Sequence, residues 1–411
     1  MPDFRSRAIG SAAWLAGLPW RLKPGRGKPL RPDDPRLKRI VVVKPCCMGD
    51  LLMSTPAIAA LRRALPHAHI SVAVGEWSRP AINNNPRVNE LLDSPVSGGS
   101  KWSDYRALAK HIKAGQFGAA LVLDRSPLLN LVPLMARVPV RAGLDSANRG
   151  IGLTHPVPCP SDASRHEVEW YLDVVRALGL PAPREDAYLE FYPTDQDKSL
   201  AAQALSEGAA QHEAEGGYIA IHLGGGVNPG MRLLSKRWLP ERWARIADWL
   251  AESYDPTILL LGGPGQEDRQ AAESLKSALF PSTRPYVIDL VGKLQWGAMA
   301  ALIQQCRLFL GHDTGAMHLA TAVRTPVIAV FGPSDPARYA PWDPSCRSIV
   351  VVPHGSQTDA ESLRQASHAG GLYHDAVTAE QVWAAIERSY LPEQFKVQGS
   401  KFKVEHAQFQ P

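Results

Sequence analysis

Four short stretches hold the residues most able to do chemistry. The first is "VVVKPCCMGDLLMSTPAIAALRRALP", residues 41–66. A run of β-branched residues passes into an apolar helix, and Asp50 sits at the joint. The free amides and positive dipole end of a starting helix favour a carboxylate there, so Asp50 can be a plain helix cap. The same position suits a general base, because Gly49 leaves room for a tight turn or a ligand. Both readings stand on the residues alone. Cys46 and Cys47 are adjacent, a poor geometry for chelating one ion, and no further ligand cluster accompanies them. They read as small turn residues.

The second stretch is "HLGGGVNPGMRLLSKRW", residues 222–238. Gly224, Gly225 and Gly226 let backbone amides approach an anion. Lys236 and Arg237 add positive charge just before a helix. The loop is not a Walker A motif. It is not the dinucleotide fingerprint either, since Pro229 stands where the third glycine is needed. In the third stretch, "LLLGGPGQEDRQAA" at 259–272, Gly262 and Gly263 end a strand. Glu267 there is either a ligand for ribose hydroxyls or a first-turn acid complementing the helix dipole. The fourth is "FLGHDTGAMHLATAVRTPVIAVFGPSDPARYAPW", residues 309–342. Asp313, Thr314 and Gly315 open a short helix carrying His318. Exposed amides at such a start form an anion site, with helix cap and core histidine as the plain alternatives for Asp313 and His318. Two look-alikes are set aside. "DQD" at 195–197 suits a helix start rather than a metal, and "HEVEW" at 166–170 ends in Trp170, not the second histidine of a zinc motif.

The elements that must position these residues follow from apolar runs without alternation, separated by helical stretches. That pattern means parallel sheets covered on both faces. Strands are expected at 39–44, 69–75 and 119–124, with helices at 51–65, 104–114, 127–136 and 165–178. A polar helical linker, 196–217, ends in a Gly-Gly pair. The pattern then restarts, with strands at 218–223, 257–263, 286–292, 307–312, 326–332 and 348–353. Helices are expected at 240–252, 266–278, 296–305 and 314–322. Thr378 and Gln381 predict a capped last helix. The reading is α/β: two doubly wound, Rossmann-like parallel-sheet domains in series. The N-terminal one covers 37–195 and the C-terminal one 218–372. A closing helix at 373–392 and a loose tail at 393–411 follow. Open sheets of this kind bind ligands beyond the carboxyl ends of their strands.

Composition bounds the function. The chain has 411 residues, 45% hydrophobic and 21% charged, so core material is ample for two domains. A net charge of +5 is too mild to argue for nucleic acid. No apolar run reaches the ~18 residues of a spanning helix. The five cysteines, Cys46, Cys47, Cys159, Cys306 and Cys346, show no zinc spacing. With no signal-peptide pattern at the N-terminus, a reduced cytoplasmic compartment is expected. Residues 1–36 mix Arg and Lys with Trp14 and Trp20. They read either as a short amphipathic leader touching the anionic inner face of the membrane or as a frayed basic segment.

Taken together, "MGDLLMSTPAIAALRRALP", "SKRWLPERWARIAD" and the 309–342 stretch resemble glycosyltransferase family 9, the ADP-heptose:lipopolysaccharide heptosyltransferase group. The likeness runs from about residue 39 to 342 and on to the closing helix. It implies a GT-B fold, with the acceptor on the N-terminal domain, the nucleotide-sugar donor on the C-terminal domain and a cleft between them. It implies inverting transfer with neither metal nor other cofactor, onto a membrane-linked glycan or glycolipid. The family's catalytic acid corresponds to Asp50. Its lysine corresponds to Lys236, though this chain reads "KRWLP", one residue longer. Its ribose-contacting acid corresponds to Glu267, and its diphosphate motif to Asp313, Thr314, Gly315 and His318. Arg237 would assist Lys236. The Cys-Cys pair, the lengthened donor loop at 225–235 and the basic leader depart from the pattern. They bear on the donor sugar and the acceptor more than on the reaction type. The alternatives are a UDP- or GDP-hexose transferase or a nucleotide-sugar epimerase of the same architecture, and a silent nucleotide-sugar-binding scaffold, against which Asp50, Lys236 and Asp313 together argue. A dehydrogenase is disfavoured by the missing fingerprint.

Overall fold

Runs such as "RIVVV" and "TILLL" cannot alternate between core and solvent, so they become inner strands of sheets covered on both sides. The computed structural model describes residues 27–160, 164–208, 215–345, 347–352 and 377–388. It divides into two units. One comprises Met1–Phe191 with Asn228–Met231, the other Tyr192–Val227 with Arg232–Pro411.

In the first unit β1 (Arg39–Val43) leads into α1 (Met48–Ala64), β2 (His69–Val74), β3 (Glu90–Asp93) and α2 (Trp102–Ala114). There follow β4 (Ala119–Val122), α3 (Pro127–Met135), β5 (Val140–Ser146), β6 (His155–Cys159) and α4 (Glu167–Arg176). All six strands are parallel, in the order β3-β2-β1-β4-β5-β6, with Val43 beside both Ala73 and Val122. Helix α1 is buried continuously from Leu51 to Leu61 and packs on α4. Pro56 inside it cannot donate to the Leu52 carbonyl. The Thr55 hydroxyl donates to that carbonyl instead, at 2.7 Å. Strands β3, β5 and β6 escape the sequence reading for physical reasons. β3 is a short, partly exposed edge, β5 carries Arg, Gly and Asp, and β6 ("HPVPC") holds two prolines, which a sheet tolerates at its edge.

The second unit begins with α5 (Asp195–Glu207), the helix expected in the linker. It is capped by Thr194, which accepts from the Asp197 amide at 3.1 Å while Asp197 accepts from the Thr194 amide at 2.8 Å. Asp195 pairs with Lys198, so the acids of "DQD" serve the start of this helix. After β7 (Tyr218–His222), two-residue strands β8 (Val227–Asn228) and β9 (Met231–Arg232) pair with each other. Next come α6 (Pro240–Tyr254), β10 (Thr257–Leu261), α7 (Gln266–Ala278), β11 (Val287–Asp289) and α8 (Trp296–Ile303), against which α5 packs. The unit closes with β12 (Cys306–His312), α9 (Gly315–Ala322), β13 (Val327–Val330), α10 (Pro336–Tyr339), β14 (Ile349–Val351) and α11 (Ala379–Arg388). The parallel order β11-β10-β7-β12-β13-β14 matches the doubly wound pattern. Helix α11 buries Trp383 against Trp249 and Tyr254.

Residues 27–36 are tied into the first unit: the Gly27 and Leu30 amides donate to Thr154 and Leu178 carbonyls, each at 2.8 Å. The tryptophans of the basic leader, the tail at 393–411 and Cys346 lie outside the described residues. Among the described residues no helix is long and apolar enough to cross a membrane.

Thr378 and Gln381 form the expected reciprocal cap: Thr378 N–H donates to Gln381 Oε1 at 2.7 Å and Gln381 N–H to Thr378 Oγ1 at 3.3 Å. Thr378→Ala should cost about 1 kcal/mol. Thermal unfolding of the second unit should then begin about 2–4 °C lower.

Candidate active site

In the first unit the site grows from the turn after β1. The helix begins at Met48, earlier than expected, and its N-cap is Cys47, with φ 65° and ψ 121°. Asp50 is therefore not a helix cap. It lies within the first turn, where the amide field still favours its charge, and its side chain is 29% exposed. Lys44 and Pro45 stay hydrogen-bonded beside the end of β2, through Lys44 N–H to the Ala73 carbonyl (3.3 Å) and Gly75 N–H to the Pro45 carbonyl (3.0 Å), and the helix follows from the Cys47 cap. Gly49, half-buried, is the second helical residue.

Lys44, with a side chain only 6% exposed, stands beneath Asp50. Its Nζ is 3.0 Å from Asp124 Oδ2, 3.9 Å from Asp50 Oδ2 and 5.5 Å from the Tyr171 ring centre. Burial works against the Lys44 charge, but Asp124, Asp50 and Tyr171 outweigh it and hold its pKa well above the ordinary lysine value. Burial likewise pushes the Tyr171 hydroxyl far up. Asp124 is held from its other oxygen by the Ser126 amide, at 2.8 Å. The sequence reading missed Lys44, Asp124 and Tyr171. A signal existed for two of them: each is the charged residue just past a buried parallel strand. The Cys47 thiol donates to Cys46, which draws the Cys46 pKa down and pushes that of Cys47 up. Among the described residues no group of three or more His, Cys, Asp or Glu is placed to hold a metal ion.

In the second unit three loops meet beyond β7, β10 and β12. Glycine is required at their contacts. A Cβ on Gly224 would lie 2.3 Å from Asp268 Oδ2, and one on Gly225, at φ +124°, would lie 2.1 Å from Thr314 Cγ2. Arg237 ties the loops together. Its Nε donates to the Gly225 carbonyl at 2.9 Å, and its Nη2 pairs with Asp268 at 2.6 Å. Asp268 in turn accepts from the Gly263 amide at 2.6 Å, and Gly262 lies against the same carboxylate. Asp268 is thus the buried acid of the "GQED" turn. Glu267 beside it is more exposed and pairs with Arg232 at 2.6 Å, which lowers its pKa.

Lys236 Nζ lies 2.5 Å from Asp313 Oδ2, with side chains 19% and 8% exposed. Asp313 does not cap α9; Thr314 does, its hydroxyl accepting from the Met317 amide at 3.4 Å. The Asp313 carboxylate is turned to Lys236 instead. His318 is buried on α9. His312 accepts at Nε2 from the Trp238 amide (2.7 Å) and from Trp243 Nε1 (3.2 Å), so the segment after Lys236 is pinned to the end of β12. Trp238 and Trp243 meet edge-on at 4.6 Å. His222 is buried at the end of β7. Burial lowers its pKa to about 4, with Asp268 opposing and Arg237 reinforcing the shift. Asp268, His222 and His312 were not singled out as site residues from sequence. Each is a polar residue inside a motif whose neighbours drew the attention. A lysine beside the first turn of α9 is an arrangement that can receive a phosphate-sized anion.

The family model for glycosyltransferase family 9 (heptosyltransferase) matches residues 105–368. This chain belongs to glycosyltransferase family 9. It is an enzyme of the glycosyltransferase class. It is 26% identical over 346 residues to lipopolysaccharide heptosyltransferase 2 of Salmonella typhimurium, covering 82% of this chain and 94% of that one. It is also 26% identical over 354 residues to lipopolysaccharide heptosyltransferase 3 of Escherichia coli K12, covering 84% and 96%. Among solved structures, a family 9 glycosyl transferase from Veillonella parvula is similar with a TM-score of 0.70 and 25% identity, over 86% of this chain and 97% of that one. The E. coli ADP-heptose lps heptosyltransferase II has the same fold, with a TM-score of 0.61 and 23% identity over 82% and 99%. The two-domain GT-B fold class is thereby established for this family 9 enzyme.

Two outcomes test this geometry. Gly225→Ala should lower the melting temperature of the second unit, because the added methyl displaces the Thr314 side chain and φ +124° strains an alanine. Burial lowers the His222 pKa from the ordinary histidine value of about 6.5 to about 4 in the fold. The unfolded chain therefore binds the extra proton first, so stability is complete above pH 6.5 and declines as pH falls towards 4. In His222→Gln that part of the pH dependence should be missing from thermal melts.

Proposed function

We propose that this enzyme moves a heptose from ADP-heptose to a lipopolysaccharide-type or related envelope glycan, with inversion and without a metal, using Asp50 as the general base. The names of the relatives support the sugar and the class of acceptor. In the transfer, Asp50 takes the proton from the acceptor hydroxyl as its oxygen bonds to the anomeric carbon. The bond from that carbon to the diphosphate breaks, and ADP leaves with the electron pair. A positioned base of this kind contributes about 10²–10⁴-fold.

The observation that carries the donor half is the Lys236–Asp313 pair at the start of α9. A carboxylate cannot itself bind diphosphate, so Asp313 acts by holding Lys236 in place. Lys236 and the amides at Thr314–Gly315 then face the negative charge that grows on the leaving group. Arg237 supports them indirectly, by bracing the glycine loops. Glu267, more exposed and held by Arg232, is the acid for the ribose. His318 completes the motif from inside α9.

The test combines binding and turnover. ADP should bind in preference to UDP and GDP, equally well with EDTA present, and Lys236→Ala should weaken it by about 1.5–3 kcal/mol, the range for a hydrogen bond to a charged group. Asp50→Asn should retain ADP binding and lose about 10²–10⁴-fold in transfer. Preference for UDP or GDP would discard ADP-heptose as the donor, and a fully active Asp50→Asn enzyme would discard the base. Absence of any nucleotide binding would favour the scaffold.

A further inference from the structure

The mechanism above uses Asp50 but leaves unexplained the buried ammonium beside it. Two carboxylates, from α1 and from the end of β4, lie within ion-pair reach of Lys44 Nζ, at 3.9 Å for Asp50 and 3.0 Å for Asp124. Without a cation between them, two carboxylates so placed would repel, and each would disfavour the charge of the other. With it, the three groups carry a single net negative charge. Asp124 has its second oxygen fixed by the Ser126 amide. Lys44 is fixed between Asp124 and the Tyr171 ring.

We propose that Lys44 is a positioning residue for transfer: it balances Asp124, and so keeps the Asp50 carboxylate ionised and in place to act as the base. The inference rests on Asp50 being that base. Among the described residues, other titratable groups act on the cluster. Cys46 and Cys47 come from the turn and Tyr171 from α4. Glu167, also on α4, acts on Tyr171, and Tyr105 on α2 senses Asp124. None of them is a second cation. Arg125, the next residue after Asp124, is paired with Glu167 at 2.8 Å. Lys44 is the ammonium within ion-pair reach of both carboxylates.

The experiment is the pH dependence of kcat/KM for acceptor, read as ADP release from ADP-heptose onto a deacylated lipooligosaccharide core lacking heptose. Full-length wild type, Lys44→Met, Asp124→Asn and the double variant are compared. Removing the ammonium raises the pKa of the base, so the acid limb of Lys44→Met should move up by about one to three pH units. Below both limbs, activity should fall about tenfold per unit. In the double variant the competing carboxylate is gone, and the limb should return towards wild type. ADP affinity should be the same in all four proteins. A loss in Lys44→Met that is equal at every pH, or a double variant no better than the single one, overturns the proposal. If Lys44→Met does not fold, Asp124→Asn alone decides. Lys44 then serves Asp50 only, and the limb must move down; an unmoved or raised limb overturns it. Asp50→Asn is the separate control: full activity there removes the base reading itself, whatever Lys44 does.

Discussion

A parallel strand covered on both faces carries charge at least cost near its ends. That constraint organises both units. β1 is apolar through Val43 and delivers Lys44; β4 is apolar through Val122 and delivers Asp124 two residues on. In the second unit β7 ends at His222, β12 at His312 followed by Asp313, and the loop after β10 supplies Gly262, Gly263 and Asp268. The polar groups of the candidate site therefore lie at the carboxyl edge of each sheet, where helix amides also point.

Charge gathered at a partly buried edge must be compensated, since an ion removed from water without a partner costs several kcal/mol. The structure meets this with specific pairs. Lys236 has Asp313, Arg237 has Asp268, Arg125 has Glu167, and Lys44 has Asp124 with Asp50 close by. The pairs differ in what else they hold. Arg237–Asp268 joins two glycine loops through the Gly225 carbonyl and the Gly263 amide, so it acts as a brace. Lys236–Asp313 stands beside the first turn of α9, where the proposed donor site places the diphosphate. The Lys44 cluster has one more carboxylate than cation, the arrangement on which the proposed base role of Asp50 rests.

Packing fixes the backbone on which these pairs stand. The Trp238–Trp243 contact and its two hydrogen bonds to His312 set where the chain runs immediately after Lys236. In the first unit, the burial of α1 from Leu51 onwards sets the height of the turn that presents Asp50. Glycines at 224 and 225 allow the loops to close onto Asp268 and Thr314, a packing that any side chain would block.

Local composition determined the strands of the inner sheets, the helices between them, the Thr378–Gln381 cap and the family, because each depends on neighbours within a few residues or on a contiguous motif. The short or proline-bearing strands β3, β5 and β6 were not legible: their pairing comes from the sheet that receives them, not from their own propensity. Helix α5 was expected from the polar, helical linker stretch, but its packing on α8 comes from the fold. At the site, the sequence showed which motifs bear charge but not which charges meet. Asp50 and Asp313 each read as a helix cap in the chain, yet tertiary packing assigned the caps to Cys47 and Thr314 and brought the carboxylates to lysines 6 and 77 positions away. Spacing along the chain carries no information about such partners, because the sheet, not the sequence, sets which strand ends are adjacent.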